Sequence, residues 1–273
     1  MRTRVATVSV FCLLFGLTAV PARAQYGAKA PSDRATGETY HVEIGGYFWN
    51  PSPEIAITSE SLPGIPGSRI DFVKDLGIEQ SRFRQLKVVL RPATKHKFRF
   101  EYTPISYEAV GSIKANLVFN GIEFPVTLPV ATDMKWRAYR FGYEWDFVYH
   151  DRGFVGVVLE AKYTEVEATL SNILDTEFVR ARAPIPAIGV IGRVYVVPNI
   201  SITGEFSGIK LPESINEDYR AKYYDFDLYG TVNFNDHVGA QVGYRSLVVF
   251  YKVKGDEGDL RLRGFYFGGV ARF

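Results

Sequence analysis

The chain has 273 residues, 47% of them hydrophobic and 15% aromatic, with a formal charge of +2, enough for one large domain. Without a basic block it offers nothing to nucleic acid, and one cysteine excludes a disulfide framework or a thiolate metal site. So high an aromatic share is unusual for an ordinary soluble domain.

The first residues read as an export signal. Arg2 and Arg4 give a basic start, Val5 to Val20 is apolar, and Ala22 and Ala24 occupy the small-residue positions read at cleavage. The run is too short to anchor a helix across a bilayer. We therefore expect residues 1–24 to be removed, residues 25–37 to form a short periplasmic segment, and residues 38–273 to form the folded domain. Cys12, Arg2, Arg4 and Arg23 leave with the signal, so the mature chain carries 29 basic and 30 acidic residues.

From Tyr40 onward the sequence alternates with period 2, as strands do when one face is oily and the other polar. Tyr40, Val42, Ile44 and Phe48 oppose His41, Glu43 and Tyr47. Leu86, Val88 and Leu90 oppose Gln85, Lys87 and Arg91; Phe98, Phe100 and Tyr102 oppose Lys97, Arg99 and Glu101. Tyr139 to Phe147 opposes Arg140, Glu144 and Asp146, and Val155 to Tyr163 opposes Glu160 and Lys162. Ile188 to Val196 opposes Arg193, and Ile200 to Phe206 opposes Glu205. The clearest case, Tyr224 to Phe234, sets Tyr224, Phe226, Leu228 and Val232 against Asp225 and Asp227. Val238 to Tyr244 opposes Gln241 and Arg245, and Phe265 to Phe273 opposes Tyr266 and Arg272.

That makes ten strands of the length needed to cross a bilayer at a tilt. Alternate connections are short (Arg91 to His96, Tyr149 to Gly153, Pro198-Asn199, Asn235-Asp236). The others read as long loops: Asn50 to Arg82, Glu108 to Lys135, Ser171 to Pro186, Ile209 to Lys222, Lys252 to Asp259. Asn120-Gly121 reads as the tip of a hairpin extending strands three and four outward. The expected fold is an all-β, closed, antiparallel, up-and-down transmembrane β-barrel with an even strand count. A soluble sandwich or lipocalin-like barrel is the competing reading, since alternation alone does not separate inside from outside.

The C-terminal run Phe265-Tyr-Phe-Gly-Gly-Val-Ala-Arg-Phe273 resembles the closing strand of bacterial outer-membrane β-barrel proteins. The resemblance implies that Phe265, Phe267, Gly269, Ala271 and Phe273 are an insertion signal read by the barrel assembly machinery. It also implies an outer-membrane location and contact with membrane lipid and lipopolysaccharide. The stretch Ile70-Asp-Phe-Val-Lys-Asp-Leu-Gly77 resembles a segment of other such barrels and reads as a loop folding on itself.

Outer-membrane proteases of the omptin type have ten strands and use an acid pair with a His–Asp pair at the extracellular rim. Asp225 and Asp227 read as lying near that rim, about 7 Å apart. His41, His96, His150 and His237 all fall at the opposite end, out of reach, so no catalytic residue is assigned. No metal or cofactor is expected; Asp256, Glu257 and Asp259 read as a solvated acidic loop rather than a cation site. The remaining feature is the lumen. Arg99, Glu101, Arg140, Glu144, Glu160, Lys162, Arg193, Glu205, Asp225, Asp227, Arg245 and Arg272 are expected to face it together. Unpaired charges there are costly, so mutual pairing is expected. A structural or surface-interaction barrel with a filled lumen is the first functional expectation, a narrow porin-like channel the second, and an enzyme the third.

Overall fold

The computed structural model describes residues 34–58, 68–112, 116–119, 122–126, 128–211, 219–253 and 256–273. The signal residues Ala22 and Ala24, the segment before residue 34, and the Asn120-Gly121 turn lie outside them.

Thirteen strands are present among the described residues. Those of the first half are β1 (Val42–Thr58), β2 (Arg69–Asp71), β3 (Phe83–Ala93), β4 (His96–Ser112), β5 (Leu117–Phe119), β6 (Ile122–Phe124) and β7 (Pro129–His150). Those of the second half are β8 (Gly153–Ser171), β9 (Thr176–Val197), β10 (Ile200–Lys210), β11 (Tyr219–Asn233), β12 (Val238–Val253) and β13 (Asp256–Arg272). Ten of them, β1, β3, β4 and β7 to β13, pair antiparallel in chain order. The sheet closes where β13 meets β1, from Glu43 opposite Arg272 to Thr58 opposite Glu257. Closure leaves no edge strand to hydrogen-bond in hydrocarbon, as a membrane-spanning sheet requires.

The outward faces agree with the expected phase: Phe48, Phe98, Phe141, Leu159, Val194, Phe226, Val242 and Phe267 are all exposed. On β11 the apolar face runs from Phe234 to Tyr224; at ~3.4 Å per residue and ~45° tilt it covers roughly 25 Å, the height of a hydrocarbon band. Tyr102, Tyr139, Tyr163, Tyr224 and Tyr244 collar its upper edge.

Five of the expected long loops are shorter than read, because the strands continue past the collar and the alternation changes sign there. On β1, outward Ile44 and Phe48 give way to Asn50, Ser52 and Glu54, while the inward set changes from Glu43 to Trp49, Ile55 and Ile57. On β8, outward Leu159 and Tyr163 give way to Glu165 and Glu167, and inward Glu160 and Lys162 to Ala168 and Leu170. On β12 inward Arg245 gives way to Leu247 and Val249. Below the collar the protein is oily outside and ionic inside; above it, the arrangement is that of a soluble barrel.

Two further expectations are corrected. Tyr40 does not face lipid: it precedes β1, and its buried ring lies 5.3 Å from the Arg91 guanidinium carbon. Nor do β5 and β6 lengthen strands three and four. They form a separate two-stranded sheet whose Phe119 and Phe124 are fully buried, because two large aromatics gain more by covering the apolar upper interior than by standing in water.

Candidate functional site

Among the described residues, the lumen is where chemistry-bearing side chains converge, and it is filled at three depths. At the short-turn end, residues 34–41 cross the mouth. Ala35 N–H donates to Asp151 O (3.3 Å), Thr36 N–H to Pro198 O (2.7 Å) and Gly37 N–H to Asp236 Oδ1 (2.7 Å), tying the segment to three turns. Gly37 has φ +83°, which disfavours a side chain, and a Cβ there would collide with Arg272. Glu38 points inward; Arg193 Nη1 donates to its Oε1 at 2.8 Å, Tyr195 OH donates to the same oxygen at 2.8 Å, and Arg91 lies 3.4 Å from Oε2. Arg272 Nε donates to Glu43 Oε2 at 2.6 Å and its Nη1 to Asn233 Oδ1 at 2.8 Å, pinning the closing strand to β1 and β11.

The middle layer is continuous. Lys97 lies 2.6 Å from Glu144 and 2.8 Å from Asp146; Arg99 reaches Glu144 at 3.2 Å and also pairs with Glu205. Arg140 pairs with Glu205 and Glu160 and approaches Glu101 (3.5 Å) and Asp225 (3.7 Å). Lys162 lies 3.1 Å from Glu160 and 3.3 Å from Asp225. Arg245 grips Asp225 with two N–H···O bonds, 3.0 and 2.8 Å, and also meets Glu101. The network thus binds strands on opposite walls of the barrel to one another.

All twelve charged residues singled out in the sequence face the lumen. Arg193 and Arg272 sit in the lower layer, and Asp227 accepts a 2.8 Å bond from Tyr266 OH rather than from a cation. Asp225 and Asp227 are not at a rim, as expected from the sequence; β11 and β12 continue past them, placing both in the middle layer. Glu38, Glu43, Arg91, Lys97 and Asp146 belong to the same system and were missed. The last four already stood on the polar phase of their strands; Glu38, in no strand, carried no periodic signal. Among the described residues, cations Lys87, Arg91, Lys97, Arg99, Arg140, Lys162, Arg193, Arg245 and Arg272 are matched in number by acids Glu38, Glu43, Glu101, Glu144, Asp146, Glu160, Glu205, Asp225 and Asp227. The interior therefore has no net sign with which to select an ion.

Above this layer lies the apolar filling. Trp49, Ile55, Ile105, Met134, Trp136, Leu170 and Leu262 line the wall, and residues 69–78 fold into the space between them. Its Ile70, Phe72, Leu76 and Ile78 are buried there, so the segment, closed on itself by Asp75 N–H to Asp71 O (2.8 Å) and Ile78 N–H to Phe72 O (3.0 Å), also serves as a stopper. Asp71 shapes it by accepting N–H bonds from Val73 (3.1 Å) and Lys74 (3.0 Å). Burial pushes the Asp71 carboxyl upward, but those amides and the Lys74 ammonium hold it below its ordinary value. At the seam between ionic and apolar layers, a cavity of about 20 Å³ beside Trp49, Glu101, Arg140 and Tyr223 leaves room for about one water.

His41, His96, His150 and His237 all lie at the short-turn end. Glu257 is held 3.3 Å from Arg69 and Asp259 3.1 Å from Arg261, and no cluster of metal-ligating side chains occurs among the described residues. On the outer wall Phe265, Phe267, Gly269, Ala271 and Phe273 form one outward row on β13, and Phe267 packs 5.7 Å from Phe48 across the closing seam.

No protein-family model matches the sequence, and no curated protein is similar to it by sequence. Solved structures resemble it to different degrees. The outer membrane protease OmpT of Escherichia coli superposes with a TM-score of 0.60 at 10% identity, over 88% of this chain and 98% of that one. Ail, the attachment invasion locus protein of Yersinia pestis, gives 0.35 at 12% identity (85% and 98%), and the toluene transporter TodX of Pseudomonas putida 0.36 at 8% (91% and 98%). At such identities the likeness to OmpT is one of fold alone: a closed membrane β-barrel.

Proposed function

We propose that the chain is a non-conducting barrel resident in the bacterial outer membrane, short turns toward the periplasm, whose role is structural or carried by its outer and extracellular surfaces. The observation that carries this reading is the lumen stopped at three depths, by residues 34–41, by an ion-pair network spanning the walls, and by an apolar filling. A water path must break buried pairs, whose separation leaves charges unpaired at low dielectric. Export with the signal at residues 1–24 and assembly through the β13 row Phe265 to Phe273 belong to the same reading.

It includes no catalysis. Acid groups such as Asp225 are engaged by arginine or lysine, and the histidines sit at the opposite end from any extracellular rim. Planar-bilayer recording tests the barrel directly, with a flat current trace expected at moderate voltage. Discrete, charge-sensitive steps overturn the reading in favour of a narrow channel. Turnover of peptide or outer-leaflet lipid that disappears in Asp225→Asn or Asp227→Asn overturns it in favour of an enzyme.

A further inference from the structure

Just above the tyrosine collar the outer wall carries a belt of charge, most of it neutralised within the barrel. Arg182 and Arg137 share Glu165 at 2.8 and 3.5 Å, Arg261 lies 3.1 Å from Asp259, and Lys135 lies 2.6 Å from Asp133. A lysine pair departs from this pattern. Lys210, at the end of β10, stands directly opposite Lys222 on β11. Both are exposed, and neither has a carboxylate partner among the described residues. Lys222 only overlies the Phe250 ring, 5.6 Å from its centroid. Like charges directly across a ladder weaken a sheet, so the barrel itself gains nothing from the arrangement.

Position supplies the reason. Below the lysines, Phe206 and Tyr224 stack at 6.1 Å and 19°, with Phe226 directly opposite Phe206 at the top of the apolar band. The two ammonium groups therefore emerge where hydrocarbon ends and headgroups begin. We propose that Lys210 and Lys222 together hold the phosphate of an anionic lipid in the leaflet at the long-loop end, its acyl chain lying along Phe206, Tyr224 and Phe226. A lipid fits better than a free anion, because two open cations enclose nothing and depend on the bilayer to present the phosphate to them. The inference rests on the membrane placement proposed above.

Lipid retention by the detergent-purified full chain, followed by native mass spectrometry during titration with phosphatidylglycerol, tests it. Replacing both lysines (Lys210→Gln with Lys222→Gln) is expected to weaken phosphatidylglycerol binding roughly thirty-fold, from the usual contribution of a lysine near a charged surface. The double arginine variant should bind as the parent does. Lys95→Gln, which removes an exposed cation from the β3–β4 turn at the opposite end, should change nothing. Equal affinity of parent and double glutamine variant overturns the proposal, as does equal retention of phosphatidylcholine by the parent. Inorganic phosphate displacing the lipid at the lipid's own concentration overturns it in favour of a free-anion site. Flotation with vesicles reports membrane placement separately, so failure of that premise is distinguishable from failure of the lysine site.

Discussion

Strand β8 places three different environments on one element, and a substitution in each gives a sharp test of where the membrane ends. Leu159 faces outward, 55% exposed, midway along the apolar run from Val155 to Tyr163. Thr169 faces the same way ten residues on; at ~3.4 Å per residue and ~45° tilt it stands roughly 24 Å higher, beyond the collar. Leu170, next in the chain, points into the apolar filling and is fully buried. Leu159→Arg is expected to cost about 2–4 kcal/mol, the penalty for a cation on the lipid face near mid-depth. Thr169→Arg on the same face, half-buried but clear of hydrocarbon, should stay within about 0.5 kcal/mol, as a surface substitution does. Leu170→Ala should cost about 2–5 kcal/mol through lost burial and the cavity left behind. Urea titration in phospholipid vesicles, followed by tryptophan fluorescence, gives all three. Equal penalties for Leu159→Arg and Thr169→Arg refute the assignment of the collar as the bilayer surface, whatever the absolute values.

Other consequences concern the interior. Glu38→Ala leaves Arg91 and Arg193 without their carboxylate and should destabilise the folded state by roughly 3–5 kcal/mol, read as a lower urea midpoint. Asp225→Asn should cost a comparable ~3–5 kcal/mol, since Arg245 and Lys162 lose a charge partner. Asp227→Asn, which keeps an acceptor for Tyr266, should fall below about 1.5 kcal/mol in the same assay; equal losses contradict the pairing described. Because the folded carboxyl of Asp71 sits below its ordinary value of 3.8, its contribution is present above that pH and is lost as pH falls through the lower folded value. Protection factors at Val73 and Lys74, taken against the intrinsic exchange rate at each pH, should therefore fall in acid below about 3.8, and Asp71→Asn should remove that dependence.

The barrel and its strand phase were legible because lipid enforces a strict code: Tyr224 to Phe234 cannot alternate oily and ionic residues in a bilayer in any other sense. The short turns were legible for the same reason, lying between two runs of equal phase. What failed was the assumption that a strand ends where its phase ends. Ile55 and Ile57 continue the alternation begun by Ile44 and Phe48, but on the opposite face, because water replaces hydrocarbon outside and an apolar core replaces ions inside. A phase reversal resembles a loop when only one register is followed. The network's members on strands were readable from parity, whereas which acid meets which base depends on walls up to a barrel's width apart. Arg99 with Glu205 and Arg245 with Glu101 carry no local signal. Glu38 was unreadable because its partners come from turns and strands scattered through the whole sequence.

That last dependence bears on the order of assembly. Thr36 and Gly37 lean on the Pro198 and Asp236 turns, and Asn233 Nδ2 donates to Thr36 O at 2.7 Å, while Arg272 on the final strand crowds Gly37. A segment near the start of the folded domain is thus among the last to find its resting place, waiting on residues nearly the whole polypeptide away. Until they arrive, the lower mouth stands open and its arginines lack their counter-charge.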